Sequence, residues 1–220
     1  LPEIQRGYVW KEKQVEKLHY IFSNYMKKER WISIWHQLDE VIKQKPKNVL
    51  EIGPGSGVFK NVAALFEIIV KTLDIDPDLN PDYLGSIEKI PLHDDSFDIV
   101  CAFQVLEHMP FEVSKRALIE MARVARRSII ISLPDVTTSW ASSINIPKIG
   151  IKKFVLYRPY YSPKKHRFDG EHYWELGKEG YTVKDFLEKI KDIDDIKLSA
   201  TYRVHENQYH RFFIFEKIKK

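Results

Sequence analysis

Residues 49–57, Val-Leu-Glu-Ile-Gly-Pro-Gly-Ser-Gly, set an apolar strand directly against a glycine-rich turn, and the next apolar run ends at Asp74. A parallel strand covered on both faces reads as uninterrupted apolar residues. Glycines after such a strand let the backbone turn sharply and approach a ligand with no Cβ in the way. A helix that follows presents free N–H groups to an anionic part of that ligand. The turn and the downstream acid together point to a nucleotide-bearing cofactor.

Nicotinamide and flavin dinucleotide sites share this plan, with an acidic residue about 20 positions on that binds ribose hydroxyls. Asp74 stands 21 positions after Gly53, which fits. The dinucleotide turn, however, needs Gly-x-Gly-x-x-Gly, whereas Val58 holds the third glycine's place and Gly57 comes one residue early. Glu51, just before the turn, is an awkward neighbour for a pyrophosphate and suits a ligand that carries an ammonium and a sulfonium. S-adenosylmethionine is such a ligand, and a nicotinamide oxidoreductase is the weaker reading.

On these residues the chain resembles the class I S-adenosylmethionine-dependent methyltransferases, in the type 11-like group whose first motif reads Glu-x-Gly-x-Gly-x-Gly. Three further stretches fit in order: Asp74 in Thr-Leu-Asp-Ile-Asp-Pro, Gly85 to Pro91 followed by Asp94-Asp95-Ser96-Phe97-Asp98, and Val105-Leu106-Glu107-His108. The resemblance covers residues 46–133 closely and the rest loosely. It implies a Rossmann-like fold, a seven-stranded mainly parallel sheet with helices on both faces. It further implies that Glu51, Gly53, Gly55 and Gly57 surround the methionine end of the cofactor and that Asp74, taken over Asp76, binds the ribose. Ile75 would then pack on adenine with Ser86 and Ile87 at its polar edge, and Phe103 and Gln104 would border the methyl group. Ser86 stands where many relatives carry Asp.

The strand and helix pattern agrees with that plan. Strands are expected at 48–52, 68–73, 83–84, 97–103 and 128–133, with helices at 56–66 and 112–126, an alternation that reads as doubly wound α/β. Thr182 is placed to cap a helix over 183–191, and strand-like runs at 196–204 and 211–218 close the sheet. Before this domain, taken as residues 46–220, residues 1–45 read as an N-terminal helical cap of two amphipathic helices. The second carries Trp31, Ile34, Trp35, Leu38, Val41 and Ile42 as a core-facing stripe. Between about 135 and 180 the periodicity fails, a length that marks a functional insertion. Lys148, Lys152, Lys153, Arg158, Lys164, Lys165 and Arg167 are interleaved there with Phe154, Tyr157, Tyr160, Tyr161, Phe168, Tyr173 and Trp174.

Composition narrows the setting. Of 220 residues, 44% are hydrophobic, enough for a substantial core, and the net charge is only +4. A single cysteine, Cys101, excludes an internal disulfide and a cysteine-clustered zinc site, so a reducing, cytoplasmic location is expected. No metal ligand set is assigned. The longest apolar run, Val62 to Val70, is broken by Glu67 and falls short of the roughly 18 residues that cross a bilayer. No secretory leader is read, although the chain begins at Leu1.

On the acceptor side, His172 and His108 are the candidate catalytic residues, because imidazole is matched to proton transfer near neutral pH. His172 lies in a polar and aromatic cluster, Asp169-Gly170-Glu171-His172-Tyr173-Trp174-Glu175. His166 and Arg167 read as surface or acceptor-charge groups. A small or medium-sized acceptor is expected, methylated on oxygen in preference to nitrogen. The second reading is an RNA methyltransferase that uses the basic and aromatic insertion to follow phosphates and stack bases. Against base methylation, strand four is followed by Phe103-Gln104-Val105-Leu106 and not by an Asn/Asp-Pro-Pro-aromatic motif. A third reading is a protein that binds S-adenosylmethionine without turnover.

Overall fold

The computed structural model describes residues 17–218. Its strands are β1 (Val49–Ile52), β2 (Val70–Asp74), β3 (Tyr83–Leu84), β4 (Phe97–Phe103), β5 (Ala125–Pro134), β6 (Ser139–Ile146), β7 (Gly150–Tyr157), β8 (Ile196–Arg203) and β9 (His210–Lys217). The α-helices are α1 (Phe22–Tyr25), α2 (Lys28–Ile42), α3 (Val58–Ala64), α4 (Phe111–Val124) and α5 (Val183–Lys189). Seven strands form one sheet in the order β3-β2-β1-β4-β5-β9-β8. All neighbours from β3 through β5 run parallel, and β9 runs antiparallel to both β5 and β8. The order reverses direction between β1 and β4, and ligands in open parallel sheets sit at such a crossing point beyond the strand carboxyl ends.

Successive residues of a buried strand face opposite ways, and here each face has its own helices. Val49, Ile99, Cys101 and Ile130 pack with Ile34, Leu38 and Val41 of α2 and Phe59 and Ala63 of α3. Leu50, Val100, Ile129 and Ile131 pack with Phe111, Leu118 and Met121 of α4 and Phe186 of α5. Each fully buried Leu, Met or Phe contributes about 1.5–3 kcal/mol, so α4 is anchored by its apolar stripe. Cys101 is among this packing, and its thiol approaches the Leu50 carbonyl oxygen at 3.5 Å. Burial pushes its pKa well up, which leaves an inert thiol.

Local chemistry explains the boundaries. Thr182 accepts from the Asp185 N–H while the Asp185 carboxylate accepts from the Thr182 N–H, a complete capping box at α5. Asp98, at the start of β4, accepts from the Lys47 N–H at 2.8 Å and pairs with Arg126, a structural role. The crossover from β2 to β3 holds only a 3₁₀ turn at Pro77–Leu79, as its two prolines and shortness require.

Two expectations are corrected. In α2, Trp31 and Trp35 are not core residues: they are 50% and 58% exposed. Ile34, Leu38 and Val41 repeat on one helical face, and Trp35 lies about 100° round the helix from Ile34. The segment from 135 to 180 is also not irregular throughout. Its first part is a hairpin in which β6 and β7 pair from Ser139↔Tyr157 to Ile146↔Gly150, outside the main sheet. Apolar residues on both of its faces remain exposed, so no one-sided alternation marks it in the sequence. Of the first expected N-terminal helix, the part before residue 17 lies outside the described residues. From 17 onward the segment is a 3₁₀ turn, Lys17–Tyr20, followed by α1.

Candidate active site

The glycine turn leaves β1 with its backbone in the left-handed region, φ +66° at Gly53 and +52° at Gly55. Space forbids side chains there as firmly as torsion does. A Cβ at Gly53 would stand 2.7 Å from Val105 Cγ2, and one at Gly55 would stand 2.9 Å from Tyr20 Cε1. Gly57 N-caps α3. Gly53 N–H donates to the Leu73 carbonyl at 3.0 Å, which ties the turn to β2. The N-terminal segment crosses this turn, with Tyr20 and Tyr25 edge-to-face over Gly55 at 5.0 Å between ring centroids.

Glu51 lies on β1 directly beneath the turn, 4% exposed, and its Oε2 has no hydrogen-bond partner among the described residues. Burial pushes its pKa up to about 8; Lys60 opposes this and Asp74 adds to it. The side chain opens onto a cleft that Arg30, Gln37, Gly53, Ser56, Phe103, Gln104 and His210 also line. A buried carboxylate oxygen with an unused lone pair, facing a cleft beside bare main chain, fits a ligand with an ammonium group. Arg30 stacks 3.9 Å over Tyr25 at the same cleft and offers a fork of donors that matches a carboxylate.

Asp74 ends β2 in the neighbouring position. Its Oδ1 accepts from the Asp76 N–H at 2.8 Å, and burial raises its pKa. Asp76 is turned inward, 4% exposed, and accepts from the Asp78 N–H as the cap of the following 3₁₀ turn. Asp74 is therefore the more open of the two acids. Ile75 is half-buried beside it. Ser86 Oγ accepts from the Glu88 N–H at 3.2 Å. Ile87 is 7% exposed and packs in the core with Leu73 and Ile90.

Across the cleft, β4 ends at Phe103, whose ring packs on Phe59 at 5.3 Å and Phe212 at 6.1 Å. Gln104 follows at φ +57°, a left-handed conformation costing a non-glycine residue about 1–2 kcal/mol, and its N–H is held by the Ser132 carbonyl at 3.0 Å. The chain then makes the 3₁₀ turn Leu106–His108. Glu107 is fully buried there, and the His108 and His172 rings meet edge-to-face at 4.9 Å. His172 is fixed by its own segment. Its N–H donates to Asp169 Oδ1 at 2.7 Å, its Nδ1 meets Glu175 Oε1 at 3.2 Å, and Tyr209 Oη donates to the same oxygen at 3.0 Å. Burial disfavours charge on His172, but the Glu175 bond and the charges of Glu107 and Asp169 hold its pKa above the usual value. Burial drives His108 the other way, to about 4.

The structure thus gathers Glu51, Gly53, Phe103 and Gln104 around one cleft and sets His108 and His172 together beside it, with Arg30 acting electrostatically on Glu107 from the cleft wall. Three other expectations change. The His166 side chain is only 7% exposed and its Nε2 meets the His172 carbonyl oxygen at 2.9 Å, so it supports the loop and is not a surface group. Trp174 is fully buried and Tyr173 is 9% exposed, which removes both from any base-stacking surface. Sequence reading also missed Tyr20, Tyr25, Arg30 and Gln37, for which no motif exists, and His210. That histidine is 5% exposed at the cleft, with Nδ1 lacking a partner among the described residues, and burial lowers its pKa to about 3.

A doubly wound sheet of this order, with its glycine turn at the reversal between β1 and β4 and an acid ending β2, defines the class I, Rossmann-like methyltransferase fold. Residues 50–131 match the family model described as "Methyltransferase domain". No curated protein matches the sequence. Among solved structures, the PH0226 protein from Pyrococcus horikoshii superposes with a TM-score of 0.61 at 14% identity, over 93% of this chain and 100% of that one. Magnesium protoporphyrin IX methyltransferase from Synechocystis, with bound S-adenosylhomocysteine, gives 0.56 at 14% identity over 86% and 84%. The 1,6-didemethyltoxoflavin-N1-methyltransferase of Burkholderia thailandensis, with its substrate and S-adenosylhomocysteine bound, gives 0.56 at 11% identity over 87% and 80%. Among the described residues no helix is long and apolar enough to cross a membrane.

Proposed function

We propose that the protein is an S-adenosylmethionine-dependent methyltransferase acting on a small or medium-sized acceptor, on oxygen in preference to nitrogen. The observation that carries this reading is Glu51: a buried carboxylate with an unpartnered oxygen, at the foot of a turn in which Gly53 and Gly55 leave no free room for a Cβ. Glu51 receives the methionine ammonium, Arg30 its carboxylate, and Asp74 the ribose hydroxyls, while Ile75 packs on adenine beside Ser86 and the main chain of Ile87. Phe103 and Gln104 then border the methyl carbon. Residues 17–45, the described part of the N-terminal cap, cover the domain that begins at residue 46, a reading supported by the approach of Tyr20 and Tyr25 to Gly55.

Methyl transfer from a sulfonium needs an acceptor atom about 3–3.5 Å from the methyl carbon, in line with the departing sulfur, so positioning supplies most of the rate. His108 and His172 with Glu107 form the acceptor side and take charge of its hydroxyl and proton. Two structural relatives are named for small molecules, magnesium protoporphyrin IX and 1,6-didemethyltoxoflavin, which supports a small acceptor here. The RNA reading retains Lys164, Lys165 and Arg167 as exposed cations but loses Tyr173 and Trp174 to the core.

The experiment is a methyl-tracing assay: isotopically labelled S-adenosylmethionine is incubated with the protein and fractionated cell extract, and the labelled product is identified by mass spectrometry. A labelled small molecule together with S-adenosylhomocysteine is the expected result. Label in RNA would favour the second reading, and binding without any labelled product would favour a non-catalytic protein.

A further inference from the structure

Three donor side chains converge where the turn after β4 meets the segment 169–175. One ligating atom from each of Glu107, His108 and His172 lies within 4.8 Å of the others. Glu107 is 0% exposed, and neither of its carboxylate oxygens has a hydrogen-bond partner among the described residues. A buried carboxylate left this way is costly, and pairing or metal coordination is what relieves the cost.

Both imidazoles are held through Nδ1. His172 Nδ1 donates to Glu175 Oε1 at 3.2 Å, and that oxygen is itself held by Tyr209 Oη. His108 Nδ1 donates to the Glu171 carbonyl at 3.2 Å. With the proton on Nδ1, each ring carries its lone pair on Nε2. A carboxylate behind one imidazole and a backbone carbonyl behind the other is the outer arrangement that fixes metal-bound histidines. It is hard to account for as packing alone.

We propose that Glu107, His108 and His172 form a binding site for one divalent transition-metal ion. Two imidazole nitrogens and one carboxylate oxygen suit Mn²⁺, Fe²⁺, Co²⁺, Ni²⁺ or Zn²⁺, whereas Ca²⁺ asks for six or more oxygens. Donors held at about 2.1 Å from one ion stand roughly 3–3.5 Å apart, so the three side chains draw together on loading. Three protein ligands leave coordination positions open to an acceptor oxygen.

For its purpose, though not for its existence, the site rests on the methyltransferase reading. An acceptor hydroxyl bound to the ion loses its proton to water. The resulting oxygen attacks the methyl carbon, so that the O–C bond forms as the C–S⁺ bond breaks and a neutral thioether leaves. The histidines are then ligands, and the ion does the work otherwise asked of a base.

The test uses full-length protein stripped with a chelator and titrated with Co²⁺, followed by visible absorption and by metal analysis after gel filtration. S-adenosylmethionine binding is measured on the same samples by calorimetry. Wild type is expected to take up about one Co²⁺ per chain, and Glu107→Gln and His172→Gln each to weaken uptake tenfold or more, in keeping with losses seen for metal-site substitutions. Should Glu107→Gln fail to fold, His172→Gln, at a side chain less deeply buried than that of Glu107, carries the comparison. No Co²⁺ uptake by wild type, or equal uptake by folded His172→Gln, overturns the site. Co²⁺ uptake that depends on these residues, without S-adenosylmethionine binding, upholds it while rejecting the cofactor reading.

Discussion

His172 and Glu175 are joined by a 3.2 Å contact between Nδ1 and Oε1, with both side chains largely shielded from solvent at 14% and 9% exposure. The contact sets the ring orientation and places a proton on Nδ1. Glu175→Gln keeps an acceptor but removes the charge. Turnover is expected to fall roughly 10- to 100-fold, the scale for losing such a partner. S-adenosylmethionine affinity is expected to stay within about twofold, because Glu175 is not among the residues that line the cleft at Glu51. Steady-state kinetics with the acceptor found by methyl tracing, together with calorimetry, would separate the two effects. Equal losses in both would mean that Glu175 merely holds the fold.

Gly55→Val is the sharpest test of the cofactor cleft. Its φ of +52° is one that a β-branched residue adopts only with strain, and a Cβ there would already press on Tyr20 at 2.9 Å. The substitution is expected to abolish detectable S-adenosylmethionine binding while leaving the circular dichroism spectrum of a folded α/β protein. Unchanged affinity would remove the turn from the site.

Asp74→Ala addresses the ribose end. Hydrogen bonds to a charged carboxylate contribute about 1.5–3 kcal/mol, so affinity for S-adenosylmethionine is expected to fall about 10- to 150-fold. S-adenosylhomocysteine should weaken in parallel because both share the ribose, and calorimetry on the pair checks this. A loss confined to one of them would place Asp74 elsewhere.

How far this site was legible before folding depends on what each residue answers to. Glu51, the glycines and Asp74 obey local rules, since strand ends and left-handed turns leave fixed marks in a sequence, and α5 announced itself through Thr182 and Asp185. Phe103 and Gln104 followed from their place at the end of β4. Arg30 and Tyr20 are set by the path of the N-terminal segment over the cleft, and His210 by antiparallel pairing opposite Pro134. Those are long-range placements with no sequence period. The hairpin β6–β7 escaped for a different reason: with neither face buried, nothing forced its apolar residues into alternation. Glu107 and His172 are likewise brought together only by the fold, through the Tyr173 N–H that donates to the Glu107 carbonyl at 2.8 Å.

Glu51 makes cofactor binding depend on pH in a determined direction. Its pKa of about 8 keeps it largely protonated at pH 7, whereas an ammonium group at hydrogen-bond distance favours the carboxylate. Binding therefore releases close to one proton at pH 7, visible as a dependence of the calorimetric enthalpy on buffer ionisation enthalpy. Affinity should rise by up to about tenfold per pH unit from pH 6 toward 8, equivalent to ~1.4 kcal/mol per unit, and level off above 8. Glu51→Gln should abolish both the proton release and the slope. A flat profile in wild type would mean that the ammonium is held by another group.

Asp135 governs the root of the β6–β7 hairpin, and its loss should be felt in stability before chemistry. Its carboxylate is 1% exposed and pairs with Arg211 Nε at 2.8 Å and Arg203 Nε at 3.8 Å. Arg203 in turn donates to the Thr137 carbonyl at 2.7 Å and Ser139 Oγ at 2.8 Å, where the hairpin leaves β5. Asp135→Ala would leave two guanidinium groups buried to 5% and 11% exposure without their counter-charge. Removing one partner of a buried ion pair costs about 3–5 kcal/mol, and urea unfolding should show that loss as a lower midpoint. Replacing both Asp135 and Arg203 by apolar residues of similar size should cost less than the single change, because the stranded charge is what destabilises. If Asp135→Ala unfolds at the wild-type midpoint, the hairpin is not anchored through this carboxylate.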